Sequence, residues 1–291
     1  MTLTRRRFLS ISAASAALPA RANAEVWGGR AFGAEVSITI RGERAQAREV
    51  LAEARTALRE IERMFSLYDP NSALSHLNRT GILVAPDPKF LAVMHASNHS
   101  YQLTDGLFDP SVQPLWQALA NNQTPTEHFN TIDWERVQFD AAQVTLGPQQ
   151  ALTFNGIAQG YATDQVSEIL MSHGFSDVLV NIGEQRSIGG SWRLGLQDPA
   201  HGLLGTRTLH NGAIATSSPL ATPMGDTGHI IHAQSFPRWS TVSVEAPTAT
   251  LADSLSTAMV LGTMDQIRTI KHRSDVTRVT LVDFDGNLST L

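Results

Sequence analysis

The run Thr153-Phe154-Asn155-Gly156-Ile157-Ala158-Gln159-Gly160-Tyr161-Ala162-Thr163-Asp164 carries a short apolar segment through two glycines directly into a helical pattern. Val166, Ile169 and Leu170 recur at helical spacing, and Gly174 follows the last turn, where a left-handed C-terminal cap is easiest for glycine. The pattern predicts strand, tight turn, helix. Such a turn presents backbone N–H groups at the positive end of a helix dipole, which suits phosphate, and leaves carbonyls nearby for a hard cation. Helix starts after glycine are also a common structural device, so the turn marks a candidate site without yet naming a chemistry.

Downstream, residues 178–183 (VLVNIG) read as a buried strand and residues 192–196 (WRLGL) as its neighbour in a meander. Residues 198–211 read as a loop and a further strand, and residues 214–219 (IATSSP) gather hydroxyls that a self-satisfied turn would also explain. His229-Ile230-Ile231-His232 follows a glycine-rich turn, and residues 241–246 form a clear strand. The last helix expected, residues 250–261, places Asp253 and Thr257 on one face, where a carboxylate and a hydroxyl offer oxygen ligands to Mg²⁺ or Ca²⁺. Taken alone, an acid offsetting the helix dipole and a back-bonded threonine account for the same pair. A strand over residues 276–284 and the turn Asp285-Gly286-Asn287 close the chain.

Upstream, residues 32–40 alternate as a strand, and residues 43–65 predict a long helix with Val50, Ala54, Leu58, Ile61 and Phe65 on one face. The turn-rich segment 66–72 then presents Tyr68, an aromatic in a polar loop and so a candidate for stacking on a ligand. A second amphipathic helix spans residues 88–103 and closes at Thr104-Asp105-Gly106. It carries His95 and His99 at a spacing that suits a transition metal, but no adjacent glutamate base or third ligand accompanies them, and two surface histidines suffice. Residues 121–150 are polar and read as a loop with a short hairpin. The order of elements predicts an α+β fold with largely antiparallel sheets, and no repeat, linker or composition shift marks a second domain.

The 291 residues, 42% hydrophobic and 17% charged, suffice for a large core. Residues 1–24 are expected to stand apart as a twin-arginine signal. They combine Arg5-Arg6-Arg7-Phe8-Leu9, a mildly apolar run from Ile11 to Leu18, and the small-x-small site Ala22-Asn23-Ala24. The expected product is a periplasmic protein, residues 25–291, exported folded. Cleavage removes Arg5, Arg6, Arg7 and Arg21 and no acid, taking the formal charge from −5 to −9, which argues against a nucleic-acid partner. No later stretch has the uninterrupted apolar length of a membrane span, so the mature chain is expected to be soluble or peripheral. With no cysteine, disulfides, thiolate metal sites, iron–sulfur clusters and cysteine nucleophiles are excluded.

Six motifs in order resemble the ApbE family of FAD:protein FMN transferases. They are Phe65-Ser66-Leu67-Tyr68-Asp69-Pro70-Asn71-Ser72 with Leu77-Asn78, the run from Gly106 to Leu115, Asn155 to Asp164, Ile214 to Ser218, His229-Ile230-Ile231, and Ala246 to Thr257. The resemblance implies a T-fold-like architecture around a central FAD cleft. It also implies an enzyme that splits the FAD pyrophosphate, couples FMN to a threonine of a target protein, and releases AMP. On the same footing, Asp253, Thr257 and the Gly156 carbonyl hold Mg²⁺, His229 and Asp253 are catalytic, and Phe32, Tyr68, Leu107, Phe108, Asp109, Thr153, Gln159 and Ile231 contact the cofactor.

This chain departs from the common family turn Asp-Leu-Gly-Gly-Ile-Ala-Lys-Gly at Thr153, Asn155 and Gln159, where an acid and a base become neutral together. Phe32 stands at a usual methionine, Glu184 at a usual glycine, and His232 at a usual aspartate. The Asn-Gly-Ile-Ala-Gln-Gly form with a twin-arginine signal resembles the NosX-type branch, accessory to nitrous oxide reduction, whose expected acceptor is a membrane-bound NosR-type partner. Two alternatives are a periplasmic FAD carrier without transfer activity and a Mg²⁺-dependent FAD pyrophosphatase.

Overall fold

The computed structural model describes residues 24–41, 44–222, 224 and 228–291. All of the expected signal except Ala24 lies outside the described residues. Strands β1 (Ala24–Ala31) and β2 (Ala34–Arg41) form a hairpin, followed by helices α1 (Arg44–Phe65) and α2 (Ala73–Thr80), strand β3 (Ile82–Val84) and helix α3 (Pro88–Leu103). After α4 (Gln113–Ala120), the short strands β4 (Gln138–Phe139) and β5 (Gln143–Thr145) complete a small antiparallel sheet in the order β3-β5-β4. Helix α5 (Ala158–Ser172) leads into β6 (Val178–Asn181), β7 (Gln185–Ile188), β8 (Trp192–Asp198), β9 (Gly202–Leu209) and β10 (Gly212–Ser217). The chain ends with β11 (Thr241–Ala246), α6 (Ala249–Met259), α7 (Met264–Arg273), β12 (Arg278–Val282) and β13 (Leu288–Thr290).

Eight strands make one fully antiparallel sheet in the order β1-β2-β6-β7-β10-β11-β12-β13. Strand alternation assigns its two faces. Val178 and Val180 of β6 and Ala215 of β10 enter the main core with α1, α5 and α6, whereas Leu179 and Ile214 face a second cluster with Leu194, Leu196 and Leu209 of the β8–β9 hairpin. The sheet is therefore covered by helices on one side and by a hairpin on the other. The expected α+β architecture with antiparallel sheets is what forms.

Two expectations change. The meander partner of β6 is β7, not β8: Gly189 and Gly190, both at positive φ, turn the chain away, and among the described residues β8 pairs only with β9. The apolar run before α5 is not a strand. Leu152 is held by both groups of one side chain, Asn78 Oδ1 accepting from its N–H (2.7 Å) and Asn78 Nδ2 donating to its carbonyl (2.8 Å), and Thr153 N donates to the Pro110 carbonyl (2.9 Å). Its apolar character serves the helical layer instead: Phe154 packs edge-on against Phe65 and Phe90, with ring centroids 5.5 and 5.8 Å away. Four such rings, counting Tyr161, fix the height at which the chain turns into α5.

Candidate active site

The turn from Phe154 into α5 sits on α6 at very close range. A Cβ at Gly160 would collide with the Ala249 carbonyl and come within 2.8 Å of Asp253 Cβ, so only glycine allows this helix crossing. One turn earlier, a Cβ at Gly156 would lie 2.8 Å from Thr257 Oγ1, which puts the Gly156 backbone directly against that hydroxyl. Asp253 and Thr257, four residues apart on α6, thus meet the two glycines of the turn.

Gly160 N donates to Asp253 Oδ2 (3.0 Å). The helix-start N–H expected to face a phosphate is therefore taken by a carboxylate of the protein. Burial pushes the Asp253 carboxyl up to about 7, against the lowering effect of that N–H and with a further upward push from Asp164. Glu184, just after the positive-φ Gly183, is buried too; desolvation first and the Asp253 charge second hold its carboxyl well above the usual range, while a hydrogen bond from Thr216 N (3.2 Å) opposes them. Ser217 Oγ of β10 reaches Ser256 Oγ (2.7 Å) and Thr257 Oγ1 (3.3 Å), closing the hydroxyl side.

Asp164 fixes the register of the two helices. Its Oδ1 accepts from Arg186 Nη1 (2.6 Å) and Ala249 N (2.9 Å), and its Oδ2 from Thr250 N (2.8 Å) and Thr250 Oγ1 (2.5 Å). An acid on α5 thereby caps the start of α6, together with Thr248, which accepts from Leu251 N.

His229 comes to the site from the segment between β10 and β11. A Cβ at Gly228, at φ 79, would strike the Pro219 carbonyl, so the loop reaches this position only through glycine. Pro219 O lies 2.9 Å from His229 Nδ1, and since a carbonyl only accepts, Nδ1 carries the proton and Nε2 keeps its lone pair. Burial lowers the imidazole pKa, with backbone hydrogen bonds to Pro219 and Thr222 opposing, so the neutral base is favoured.

These groups border a cavity of about 760 Å³, a size suited to a large cofactor. Of the residues expected to act, Leu107, Phe108, Asp109, Thr153, Gly156, Gln159, His229, Ile231, Asp253 and Thr257 line it. Phe32 and Tyr68 do not. Phe32 occupies the β1–β2 turn at φ 50 with its N–H on Glu62 Oε1 (2.8 Å), and Tyr68 stands 65% exposed in the loop after α1. Asp109 is not free for a ligand at every atom: its Oδ1 accepts from Ser111 N (2.8 Å) and Ser111 Oγ (2.6 Å). His232 lies outside the cavity wall, donating from Nε2 to the Gly106 carbonyl (3.2 Å) and accepting at Nδ1 from Gln234 N (3.1 Å), a brace for the Leu107–Phe108 turn.

Sequence reasoning did not foresee Trp116 of α4 or Arg30 and Glu35 of the first hairpin as cavity residues. The Pro114-Leu115-Trp116 run after the Asp109 motif was a readable signal for the first. Nothing in the alternation of β1 and β2 signalled the others.

A sequence profile of the ApbE family matches residues 32–280. The chain belongs to the ApbE family. A protein named FAD:protein FMN transferase from Chlamydia pneumoniae is 25% identical over 232 residues, 69% of this chain and 72% of the relative. One of the same name from Salmonella typhimurium is 26% identical over 281 residues, covering 82% and 79%. In fold, the chain resembles the crystal structure of the ApbE protein of Thermotoga maritima, with a TM-score of 0.82 at 22% identity over 92% of this chain and 96% of that one. The flavin transferase ApbE of Vibrio cholerae follows at TM-score 0.80, 21% identity, 92% and 96% coverage.

The donors at the α5–α6 contact are carboxylate, hydroxyl and backbone oxygens, which suit Mg²⁺ or Ca²⁺ and not a softer ion. Among the described residues no group of three or more His, Asp or Glu side chains forms a metal cluster. The residues fit a cation bound partly by hydroxyl and backbone oxygens. No helix among the described residues is long and apolar enough to cross a membrane.

Proposed function

We propose that this protein is a FAD:protein FMN transferase dependent on a divalent cation, with residues 25–291 forming one catalytic domain. The observation that carries the reading is the convergence of Asp253, Thr257 and a neutral His229, drawn from separate stretches, on one large cleft. The name shared by the sequence relatives supports it. FAD occupies the cleft, with Leu107, Phe108 and Ile231 as apolar walls and Gln159 and Thr153 as neutral hydrogen-bonding groups.

Asp253, Thr257 and the Gly156 carbonyl would hold Mg²⁺, which when bound would neutralise charge on the pyrophosphate. His229 Nε2 takes the proton of the acceptor threonine hydroxyl. That oxygen then bonds to the phosphorus on the FMN side, the pyrophosphate P–O bond breaks, and AMP leaves with the bonding pair. The proton passes from His229 to solvent or to AMP, so FAD and a threonine become phosphoester-linked FMN and AMP.

The twin-arginine motif supports export to the periplasm, and the Asn-Gly-Ile-Ala-Gln-Gly turn supports a NosX-type role with a NosR-type acceptor in nitrous oxide respiration. The test is incubation with FAD, Mg²⁺ and a flavin-acceptor domain. A covalent FMN adduct with AMP is expected. Free FMN without adduct identifies a pyrophosphatase, and bound, uncleaved FAD identifies a carrier; either outcome overturns the transferase reading.

A further inference from the structure

Glu184 has no part in the reaction outlined above, yet it is only 8% exposed and faces the same cleft as Asp253, itself 4% exposed. Its backbone is fixed: Ile182 N (3.0 Å) and Thr163 Oγ1 (3.3 Å) both donate to its carbonyl. On the carboxylate, Oε2 accepts from Thr216 N (3.2 Å), while Oε1 accepts from no described residue. Asp253 has the same pattern, one oxygen on Gly160 N and the other unshared among the described residues.

Neither acid forms an ion pair with lysine or arginine among the described residues. The nearest arginine in sequence, Arg186, is directed to Asp164 at 2.6 Å. Two buried carboxylates, Glu184 held up in part by the charge of Asp253, each present to a shared cavity an oxygen that accepts from no described residue, and neither has a counter-charge among the described residues, which buried acids require. Thr257 and Gly156, in contact with each other, offer oxygen donors to the same cavity. A compact divalent cation answers both the charge and the donor type, whereas an organic ammonium would leave the hydroxyl without a role.

We propose that Glu184 Oε1 and Asp253 together hold one divalent cation, so that the site carries two carboxylates and binds its metal before FAD arrives. This rests on the reading of the cleft as a cation-dependent transferase site. Loss of the Glu184 charge then loosens the metal even where the flavin is absent.

Mn²⁺ titration of the protein without FAD, followed by the electron paramagnetic resonance signal of free Mn²⁺, tests the proposal. A single ion is expected per chain, with Glu184→Gln weakening its affinity about 10-fold or more and Asp253→Asn weakening it further. Thermal melting in chelator separates ligation from misfolding: Glu184→Gln is expected to melt at or above the parent temperature, because it removes a buried charge. Unchanged Mn²⁺ affinity in Glu184→Gln, alongside loss in Asp253→Asn, overturns the role of Glu184 and leaves a one-carboxylate site standing. No Mn²⁺ binding without FAD, but Mg²⁺-dependent transfer with it, overturns the proposal and spares the transferase reading. Transfer that proceeds fully in chelator brings down both.

Discussion

Asp164 and Asp253 are buried on facing sides of the α5–α6 contact, 5% and 4% exposed, and the protein treats them in opposite ways. Asp164 accepts four hydrogen bonds, one from a guanidinium and two from the first N–H groups of α6. Asp253 accepts one. The first carboxyl is complete within the chain and spends its charge on joining two helices. The second, like Glu184 beside it, is left under-coordinated at the edge of a cavity. Depth of burial therefore does not distinguish a structural acid from one awaiting a ligand; the number of donors aimed at it does.

Substitution breaks the comparison most sharply at Asp253. Asp253→Asn should lower transfer by about 10³-fold or more, through loss of a charged cation ligand, while the folded protein in chelator melts no lower than the parent. Turnover within a few-fold of the parent would remove Asp253 from the metal site. Asp164→Asn should behave in reverse. It strands the partly buried Arg186 charge and should cost about 2–3 kcal/mol of stability, read as a fall in the urea midpoint; a variant as stable as the parent would mean the four bonds do not clamp α6.

Gly160 lies between the two acids. Gly160→Ala should push α6 away from α5, costing about 1–3 kcal/mol and weakening Mn²⁺ binding together with stability, in contrast to Asp253→Asn. Retained metal affinity would show that the crossing tolerates displacement. The smallest effect concerns pH. Asp253 has a folded-state pKa near 7, above the unfolded value of about 3.9. Between those values the folded state binds the extra proton, so in chelator this acid makes stability fall as pH rises from about 4 to about 7. Asp253→Asn should flatten that part of a melting-temperature profile, and a divalent cation should offset the loss at neutral pH. An unchanged slope in the variant would place the effect on another group.

Much of the fold could be read where a local signal coincided with its tertiary role. The α3 bounds were legible because Asp87 caps the helix, proline occupies its first position, and Thr104-Asp105-Gly106 stops it. Helix α1 was legible from an apolar stripe that the structure buries. Helix α2 was missed because eight mostly polar residues bury only Leu74 and Leu77, too few for a period. Helix α7 was missed although its Thr263–Gln266 capping box is a readable start. The apolar run before α5 misled because burial against aromatic rings and burial in a sheet leave the same composition.

In the site, Asp253 and Thr257 were legible as an i,i+4 pair, and the turn glycines as close-approach positions. That the two features touch is a property of tertiary packing. Glu184 was visible only as an unusual residue; its enclosure beside Asp253 depends on β6, β7 and β10 being neighbours, which no local pattern states. Tyr68 was drawn into the site by its polar loop, yet that loop lies away from the cavity wall.

The cavity draws its lining from Gly28 through to Leu261, so stretches distant in sequence border one hole. A molecule filling it acts as a non-covalent staple between segments far apart in the chain, and opening any of them requires letting it go. The free energy of occupancy is then added to global unfolding. Slowed amide exchange should spread to the deepest strands of the sheet, well beyond the residues in contact, and the loaded protein should resist proteolysis as a unit.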